Sequence, residues 1–304
     1  MNKWVGIVIV LLLVAGGIYY FSQNRNLNVV EEKITNGEML DNGNPSPITT
    51  EENVEYFANA KGFYARPEAT GHYPGIVMIH ENRGLRPEII DTAKQLAREG
   101  YHVLAVDLYN GKVVESQEDA RALSSGFDQK TGTANLRAAA AYLRNKGAAK
   151  IASLGWCFGG RQSVELAISG EKLDATVVYY GGNMASTQEA LAPIKWPVLG
   201  IFGDRDQAIP VTKVKEFETS LDNLGVKNEI HIYPGVGHAF ANPSGANYAP
   251  DETTVGLPAL RFCGHGLPER TRAGFNRSTA LRWRCRSDPI ARQDFITAGS
   301  AEHG

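Results

Sequence analysis

Cysteine is scarce in this chain, and neither positive nor negative charge is in large excess. The three cysteines, Cys157, Cys263 and Cys285, stand without regular spacing. An odd number cannot form a complete disulfide framework, so at least one thiol is free. The formal net charge is −2, with both signs scattered along the chain, which gives no long-range field that would attract nucleic acid. We therefore expect no nucleic-acid partner.

Metal and nucleotide motifs are also missing from the sequence. It contains no H-E-x-x-H pattern, no Walker A loop and no dinucleotide-binding fingerprint. No repeat with a period of about 20–50 residues is present either. The sequence therefore implies no cofactor and no metal site. At 304 residues, the chain has room for one large α/β domain and short additional segments.

One long apolar run stands near the N-terminus. Trp4 to Phe21 is a stretch of 18 residues without a charge, and as a helix it would span about 27 Å, close to the hydrocarbon thickness of a bilayer. Lys3 before the run, aromatic residues at its end and the lack of a clear cleavage site favour an uncleaved transmembrane anchor. A cleaved signal peptide is the alternative. Both interpretations place the rest of the chain outside the cytoplasm, membrane-anchored or secreted.

Composition divides the chain into four segments. Residues 1–22 are the predicted anchor or signal, and residues 23–50, rich in Asn, Glu, Ser and Pro, are predicted to be a flexible tether. Residues 51–254 alternate apolar runs with amphipathic stretches, which is typical of a mostly parallel sheet covered by helices on both faces. Residues 255–304 contain eight arginines and no lysine. This abrupt change suggests a shifted reading frame from about Thr254, with a natural basic tail as the alternative.

Strands and helices alternate through the predicted domain after a leading antiparallel hairpin at Asn53–Pro67. The later strands are predicted at Gly75–His80, His102–Asp107, Ile151–Trp156, Ala175–Gly181, Val198–Gly203 and Glu229–Pro234. Apolar residues at three- and four-residue spacing predict helices at Pro87–Arg98, Ala134–Arg144, Gly159–Ile168 and Thr212–Leu224.

A thiol stands between a predicted strand and a predicted helix, in the pattern G-x-C-x-G. The segment Gly155-Trp156-Cys157-Phe158-Gly159-Gly160 has the form of a nucleophile elbow with cysteine in place of serine. Glycines are needed because the turn is too sharp for side chains, and the following helix N-terminus favours a developing anion. The motif predicts an α/β-hydrolase fold with Cys157 as its nucleophile. The alternative is a buried core cysteine.

The acid and the base of such a site should follow in that order, each in a loop after a later strand. Asp204 and Asp206 lie directly after one predicted strand, and His238 lies after the next. Both aspartates are candidates for the acid, and we favour Asp206 because it precedes x-x-Ile-Pro. His80 also lies near a site loop, and we expect it to be a packing residue at a strand end.

These motifs resemble the dienelactone hydrolase family over about Glu51 to Asn242. The resemblance is carried by Pro74–Leu85, Ala105–Tyr109, Gly155–Gly160 and Tyr179–Gly181, and by the two loops that hold Asp206 and His238. It implies a triad of Cys157, His238 and Asp206. It also implies a resting thiol held near Glu81, and an oxyanion hole made by the backbone N–H groups of Phe158 and Asn82.

The resemblance implies hydrolysis of a lactone or small carboxylic ester through an acyl-cysteine intermediate. The family's namesake binds a substrate carboxylate with arginines, one shortly after Asp-Leu-Tyr and one a few residues after the histidine. Asn110 to Lys112 and Asn242 stand at those places here. The candidate substrate-binding residues are Arg83, Trp156, Tyr109 and Arg161.

Two alternatives stay open at this stage. One is a thioesterase or carboxylesterase with a different acyl pocket. The other is a non-catalytic, envelope-bound module that binds a ligand on the same fold. The sequence predicts no particular oligomeric state.

Overall fold

The protein is built on one eight-stranded sheet in the part of the chain that the structure describes. The structure is a computed structural model and describes residues 46–250. The strands are β1 (Ile48–Phe57), β2 (Ala60–Pro67), β3 (Gly75–Ile79), β4 (His102–Ala105), β5 (Ile151–Trp156), β6 (Ala175–Tyr179), β7 (Val198–Gly203) and β8 (Asn228–Tyr233).

The strand order in the sheet is β1-β2-β4-β3-β5-β6-β7-β8. β1 and β2 form an antiparallel hairpin, and β2 is also antiparallel to β4. The remaining neighbours are parallel. Ile79 pairs with Gly155, and Trp156 pairs with Tyr179, so the carboxyl ends of β3, β5 and β6 lie side by side. Residues that follow these strands therefore meet at one edge of the sheet.

Six helices accompany the sheet between residues 46 and 250. They are α1 (Pro87–Arg98), α2 (Gln117–Ser125), α3 (Gln129–Asn145), α4 (Phe158–Ile168), α5 (Gln188–Leu191) and α6 (Val211–Asn223). The side chain of Ser116 accepts a hydrogen bond from the Asp119 amide at the start of α2, and Asp128 caps α3 in the same way. Such caps satisfy N–H groups that have no partner inside the helix.

Both faces of the central strands are covered. Every residue of β3, β4, β5 and β7 is buried, whereas a sheet with one face in solvent would expose alternate residues. Helix α1 packs on β2 and β4, α3 packs on β3, and α4 packs on β5 and β6. At the sheet edge, every residue of β8 is only half-buried.

The predicted alternation of strands and helices is confirmed, with differences at some boundaries. β5, β7 and α1 lie where the sequence predicts them, whereas the hairpin ends at Pro67 as predicted but begins at Ile48 and not at Asn53. β4 ends at Ala105 and does not continue to Asp107, because the Asp107 carboxylate accepts hydrogen bonds from the amides of Tyr109 and Gly111 and turns the chain. Helices α2 and α5 were not predicted.

The predicted terminal segments fall mostly outside the described residues. The anchor or signal at residues 1–22, most of the tether and the segment at 255–304 cannot be compared with the structure. β1 begins at Ile48, before the predicted start of the domain at Glu51. No helix between residues 46 and 250 combines the length and the apolar character needed to cross a membrane.

Candidate active site

Cys157 lies at the sharp turn between β5 and α4. Its backbone has φ 55° and ψ −114°, a left-handed conformation that costs a residue with a side chain about 1–3 kcal/mol. The turn is held by a hydrogen bond from the Cys157 amide to the Tyr179 carbonyl, 3.0 Å long. The strained turn places the thiol at the carboxyl edge of the sheet.

The glycines on either side of Cys157 are required by close backbone approach. A Cβ on Gly155 would lie 2.1 Å from the Gly159 carbonyl oxygen, and a Cβ on Gly159 would lie 2.3 Å from the Ile79 oxygen. Real Cβ atoms do not come this close to backbone. The glycines of the G-x-C-x-G pattern are therefore required because the turn leaves no room for side chains, as the sequence suggested.

His238 lies in the loop after β8 and joins Cys157 to Asp206. Its Nε2 is 3.0 Å from the Cys157 Sγ. Its Nδ1 is 2.7 Å from Oδ2 of Asp206. Because a carboxylate accepts hydrogen bonds, Nδ1 carries a proton that it donates to Asp206, and Nε2 faces the thiol. The structure thus brings these three predicted residues together in one chain of hydrogen bonds.

Asp206 is buried and held rigidly. It is 5% exposed, and its second oxygen, Oδ1, accepts hydrogen bonds from the amides of Ala208 at 2.8 Å and Ile209 at 3.1 Å. Asp204, the other candidate, points elsewhere, since its carboxylate accepts the Gly235 amide at 2.7 Å. Asp206 is therefore the aspartate that contacts the histidine.

The environment of His238 favours its protonated form. Burial acts to lower the pKa of His238, but the hydrogen bonds to Asp206 and Cys157 outweigh it and raise the pKa to about 10. At neutral pH the imidazole is then a cation between two groups that can carry negative charge. This arrangement suits a thiolate-imidazolium pair.

Glu81 lies beside the site, but its hydrogen bonds do not go to the thiol. Oε2 of Glu81 accepts the side-chain amide of Asn242 at 2.5 Å, and Oε1 accepts the Tyr180 hydroxyl at 3.5 Å. Burial raises the pKa of Glu81, while these hydrogen bonds favour its charged form. The resemblance implied a resting thiol near Glu81, whereas the Cys157 thiol contacts His238 here.

The two predicted oxyanion donors are backbone amides in suitable places. Phe158 is the first residue of α4, where a helix leaves its N–H groups without an intrahelical acceptor. Asn82 lies in the loop after β3, in a turn closed by a weak hydrogen bond from the Gly84 amide to the Glu81 carbonyl. Between residues 46 and 250, neither the Phe158 nor the Asn82 amide donates a hydrogen bond to the protein.

His80 is a packing residue, as the sequence predicted. It is fully buried. Its Nε2 accepts the Leu108 amide at 3.2 Å, so Nδ1 carries the proton and donates it to the Glu81 carbonyl. Burial lowers the pKa of His80 and keeps the ring neutral. The ring therefore fixes the start of the loop that holds Asn82.

The candidate substrate-binding arginines make local contacts. The guanidinium of Arg83 is 3.5 Å from the side-chain oxygen of Gln117. Arg161 forms an ion pair with Glu165, with Nε 3.7 Å from Oε1. The Arg83 contact lies at the surface and is weak. The Arg161 Nε is buried and forms no hydrogen bond with the described residues, because Glu165 is too far away for one.

The candidate aromatic residues are buried. Trp156 packs against Tyr179, with ring centroids 5.6 Å apart. Tyr109 lies among His80, Phe158 and Phe127.

Two contacts at the site were not foreseen from the sequence. Asn242 had been noted only as a departure from the family pattern, and its contact with Glu81 joins residues far apart in the chain. Tyr180, in the Tyr-Tyr-Gly segment, adopts φ 36° and places its ring 5.3 Å from the His238 ring. The adjoining Gly181 and the positive φ of Tyr180 mark a strained turn, which sequence alone signals only through the glycine.

Fold and site together define an α/β-hydrolase, because the sheet order is combined with an elbow after β5, an acid after β7 and a histidine after β8. The chain belongs to the dienelactone hydrolase family, whose model matches residues 60–256. The predicted resemblance is thus confirmed.

Individual relatives agree with this assignment. A protein of Salmonella typhimurium provisionally named carboxymethylenebutenolidase is 31% identical over 204 residues, which cover 62% of this chain and 74% of the relative. A protein with the same provisional name from Saccharolobus solfataricus is 30% identical over 63% of this chain and 88% of its own. The crystal structure of a provisionally assigned dienelactone hydrolase from Klebsiella pneumoniae superposes with a TM-score of 0.65 at 26% identity, covering 70% of this chain and 97% of that one. The protein is an ester-bond hydrolase of the dienelactone hydrolase type.

Proposed function

We propose that Cys157 attacks the carbonyl carbon of a lactone or small carboxylic ester and forms an acyl-cysteine intermediate. The observation that carries this proposal is the continuous path from Sγ of Cys157 to Nε2 of His238, 3.0 Å, and from Nδ1 of His238 to Asp206, 2.7 Å. Nucleophile and base lie within hydrogen-bond reach, and a third group orients the base.

In the first half of the reaction, the thiolate forms a C–S bond and the ester C–O bond breaks. The proton on Nε2 of His238 passes to the leaving oxygen, which departs as an alcohol; in a lactone this alcohol stays attached to the acyl group. In the second half, neutral His238 takes a proton from water, and the resulting hydroxide forms a C–O bond as the C–S bond breaks. The thiolate-imidazolium pair is then restored.

The backbone amides of Phe158 and Asn82 are assigned to the oxyanion hole. They come from the first turn of α4 and from the loop after β3, the strand that pairs with β5. Amides fixed in the backbone need no reorganisation when negative charge develops on the carbonyl oxygen. Glu81, held by Asn242, is assigned to the wall of the same site.

We assign the substrate as an ester or lactone that needs no carboxylate group of its own for binding. Asn242 stands four residues after His238, is neutral and is occupied by Glu81. Arg161 pairs with Glu165, and Arg83 contacts Gln117. Of the alternatives, a thioesterase would use the same groups with a different acyl pocket, so only rates on matched substrates separate the two.

The test is a comparison of Cys157→Ala, Cys157→Ser and wild type on a panel of lactones, esters and thioesters. We expect Cys157→Ala to abolish hydrolysis and Cys157→Ser to retain slight activity at most, because an alcohol is less acidic and less nucleophilic than a thiol. Mass spectrometry of wild type mixed with a slow ester should detect one acyl group on the peptide that contains Cys157. Hydrolysis by Cys157→Ala at the wild-type rate would disprove the assignment.

A non-catalytic binding module is tested by thiol labelling. A module of that kind needs no activated thiol, whereas the proposed enzyme depends on His238 to hold the thiolate. We expect mild alkylation of Cys157 to be faster in wild type than in His238→Ala. Equal labelling rates, together with an inactive wild type, would favour the module.

We also propose that the catalytic domain is held at a membrane and lies outside the cytoplasm. The uncharged run from Trp4 to Phe21, preceded by Lys3, supports this. If the run is cleaved as a signal peptide, the protein is secreted instead.

A further inference from the structure

Tyr109 places a phenolic hydroxyl in the protein interior without a partner. The residue is 6% exposed, and no group between residues 46 and 250 forms a hydrogen bond with its buried oxygen. Buried hydroxyls are nearly always paired, since an unpaired one loses its hydrogen bonds to water and gains none. A buried unpaired donor beside an active site therefore indicates a group that is kept for a ligand.

The backbone of Tyr109 is fixed by a buried carboxylate. Asp107, 2% exposed, accepts the Tyr109 amide at 3.0 Å with Oδ1 and the Gly111 amide at 2.7 Å with Oδ2. The Asp107 carbonyl in turn accepts the side-chain amide of Asn135 at 3.0 Å. The Asp107 carboxylate also accepts the Lys61 amide of β2 at 3.1 Å. The loop after β4 is thus tied to β2 and to α3, so Tyr109 is held in place before substrate binds.

The ring of Tyr109 is enclosed by three other rings. Its centroid is 4.9 Å from His80, 5.4 Å from Phe158 and 6.0 Å from Phe127. Phe158 directly follows the nucleophile. The ring therefore lies against the wall of the site and has little room to rotate.

The hydroxyl is a donor at every pH at which the enzyme would be assayed. Burial raises the pKa of Tyr109, and the neighbouring Cys157 raises it further. A protonated phenol can donate its hydrogen to an oxygen of the substrate.

The strand order places the Tyr109 loop on the side of the site away from His238. β4 lies on the far side of β3 from β5, whereas His238 follows β8 on the opposite side. Adjacent strands are about 4.8 Å apart, so Tyr109 lies one strand beyond the loop that holds Asn82. The leaving group must face His238 to receive its proton. The acyl group then extends away from His238, toward Tyr109.

We propose that the Tyr109 hydroxyl donates a hydrogen bond to an acceptor oxygen in the acyl group of the substrate. The enzyme accordingly prefers acyl groups that carry an ether, hydroxyl or carbonyl oxygen near the scissile carbonyl over purely aliphatic ones. This specificity rests on the proposed function of Cys157.

The test uses Tyr109→Phe and two esters of 4-nitrophenol, the methoxyacetate and the butyrate. Their acyl groups have nearly the same shape and differ by an ether oxygen in place of a methylene. We expect the variant to lose about 3- to 10-fold in kcat/KM on the methoxyacetate, the value of one neutral hydrogen bond, and to change less than about twofold on the butyrate. Comparing variant with wild type on each ester cancels the difference in intrinsic reactivity.

Tyr64→Phe is the matched control for a structural role. The Tyr64 hydroxyl is buried and forms a hydrogen bond with Nδ1 of His102, 2.8 Å long. Its loss should lower Tm by about 2–8 °C and affect both esters alike. Tyr109→Phe should leave Tm within about 1 °C of wild type, because no protein contact of the hydroxyl is lost.

Equal changes on the two esters by Tyr109→Phe, including no change on either, or a fall in Tm like that of Tyr64→Phe, would overturn the proposal. Failure of the proposed function would give a different result, because Cys157→Ala would then keep full activity on the butyrate.

Discussion

Asp206 binds His238 with one carboxylate oxygen and two backbone amides with the other. Oδ2 is 2.7 Å from Nδ1 of His238, while Oδ1 accepts the amides of Ala208 and Ile209. The amides fix the carboxylate, and the carboxylate in turn fixes the ring so that Nε2 faces Cys157. The orientation of the base therefore depends on a loop that never touches the thiol.

Asp206→Asn should lower kcat by about 10⁴-fold, less than loss of Cys157 or His238. The amide can keep the ring near its place, but it removes the negative charge that stabilises the imidazolium. The measurement is kcat on a 4-nitrophenyl ester with purified proteins.

Asp204→Asn is the matched control for Asp206→Asn, since Asp204 stands two positions away and its carboxylate accepts the Gly235 amide. An asparagine oxygen can still accept that hydrogen bond, so kcat should fall by less than about threefold. A larger loss at Asp204 than at Asp206 would show that the wrong carboxylate has been assigned.

The order of elements was predictable because local patterns encode it. β5 and β7 are uninterrupted apolar runs and α1 has a clear apolar stripe, and all three lie where predicted. Helix α2 was missed because Ala120 is its only buried residue, which leaves no stripe to detect. Helix α5 has four residues, too few to show a helical period.

The meeting of Cys157, His238 and Asp206 was predictable, and the contacts around them were not. Glycine spacing identifies Cys157, and chain order identifies His238. Asp206 was favoured over Asp204 because it precedes x-x-Ile-Pro, but sequence does not show which of two nearby carboxylates turns toward a histidine. The pairing of Glu81 with Asn242 depends on how the loops after β3 and β8 meet in space.

The second prediction concerns the protonation of His238. Its folded pKa of about 10 lies above the ordinary value of 6.5. Protonated His238 therefore contributes stability fully below about pH 6.5, and this contribution is lost as the pH rises through about 10. We expect kcat/KM to decline on the alkaline side near pH 10, as the imidazolium loses the proton needed by the leaving group.

An NMR titration of the His238 ring checks this pKa directly. Cys157→Ala and Asp206→Asn each remove a hydrogen bond that raises the pKa, so each should shift the midpoint toward 6.5. A wild-type midpoint near 6.5, unaffected by either change, would contradict the thiolate-imidazolium pair.

Asn242→Asp should destabilise the protein in a pH-dependent way. The change places a second carboxylate against Glu81, whose pKa is already raised by burial. Like charges in contact disfavour ionisation. The free energy of unfolding at pH 8 should therefore fall by about 1–3 kcal/mol. This loss should shrink toward pH 5, because protonation of one carboxyl group restores a donor between them. Denaturant unfolding at both pH values measures it.

Asn242→Ala separates this repulsion from loss of the hydrogen bond. It removes the donor to Glu81 without adding charge. It should therefore lower the free energy of unfolding at pH 8 by less than Asn242→Asp does. If Asn242→Asp lowers the free energy of unfolding by the same amount at pH 5 and at pH 8, charge repulsion is ruled out.

The fourth prediction concerns the side of the membrane on which the domain lies. With Lys3 retained in the cytoplasm before the apolar run, the domain should face outward. Protease added to spheroplasts should then digest it, while a cytoplasmic marker stays intact. Protection of the domain would contradict this topology, and recovery of all the protein in a soluble exported fraction would favour a cleaved signal.

The last prediction concerns the reading frame beyond Thr254. Val255 to Gly304 contain eight arginines and no lysine, whereas the preceding residues contain thirteen lysines and ten arginines. Two of the three cysteines also fall there, and several glycines and prolines interrupt every long helical pattern. The family match ends at residue 256. A natural basic tail that contacts anionic lipid or protein is the alternative.

Translation of the other two forward frames beyond Thr254 decides between these explanations. After a frame shift, one of them should encode an amphipathic helix of about 12–18 residues that ends near a stop codon. Such a helix could cover apolar surface of the sheet, where every residue of β8 is only half-buried. Protein made with the restored frame should then have a higher Tm and aggregate less than the present chain. Absence of a helical pattern in both alternative frames would leave the basic tail as a genuine part of the protein.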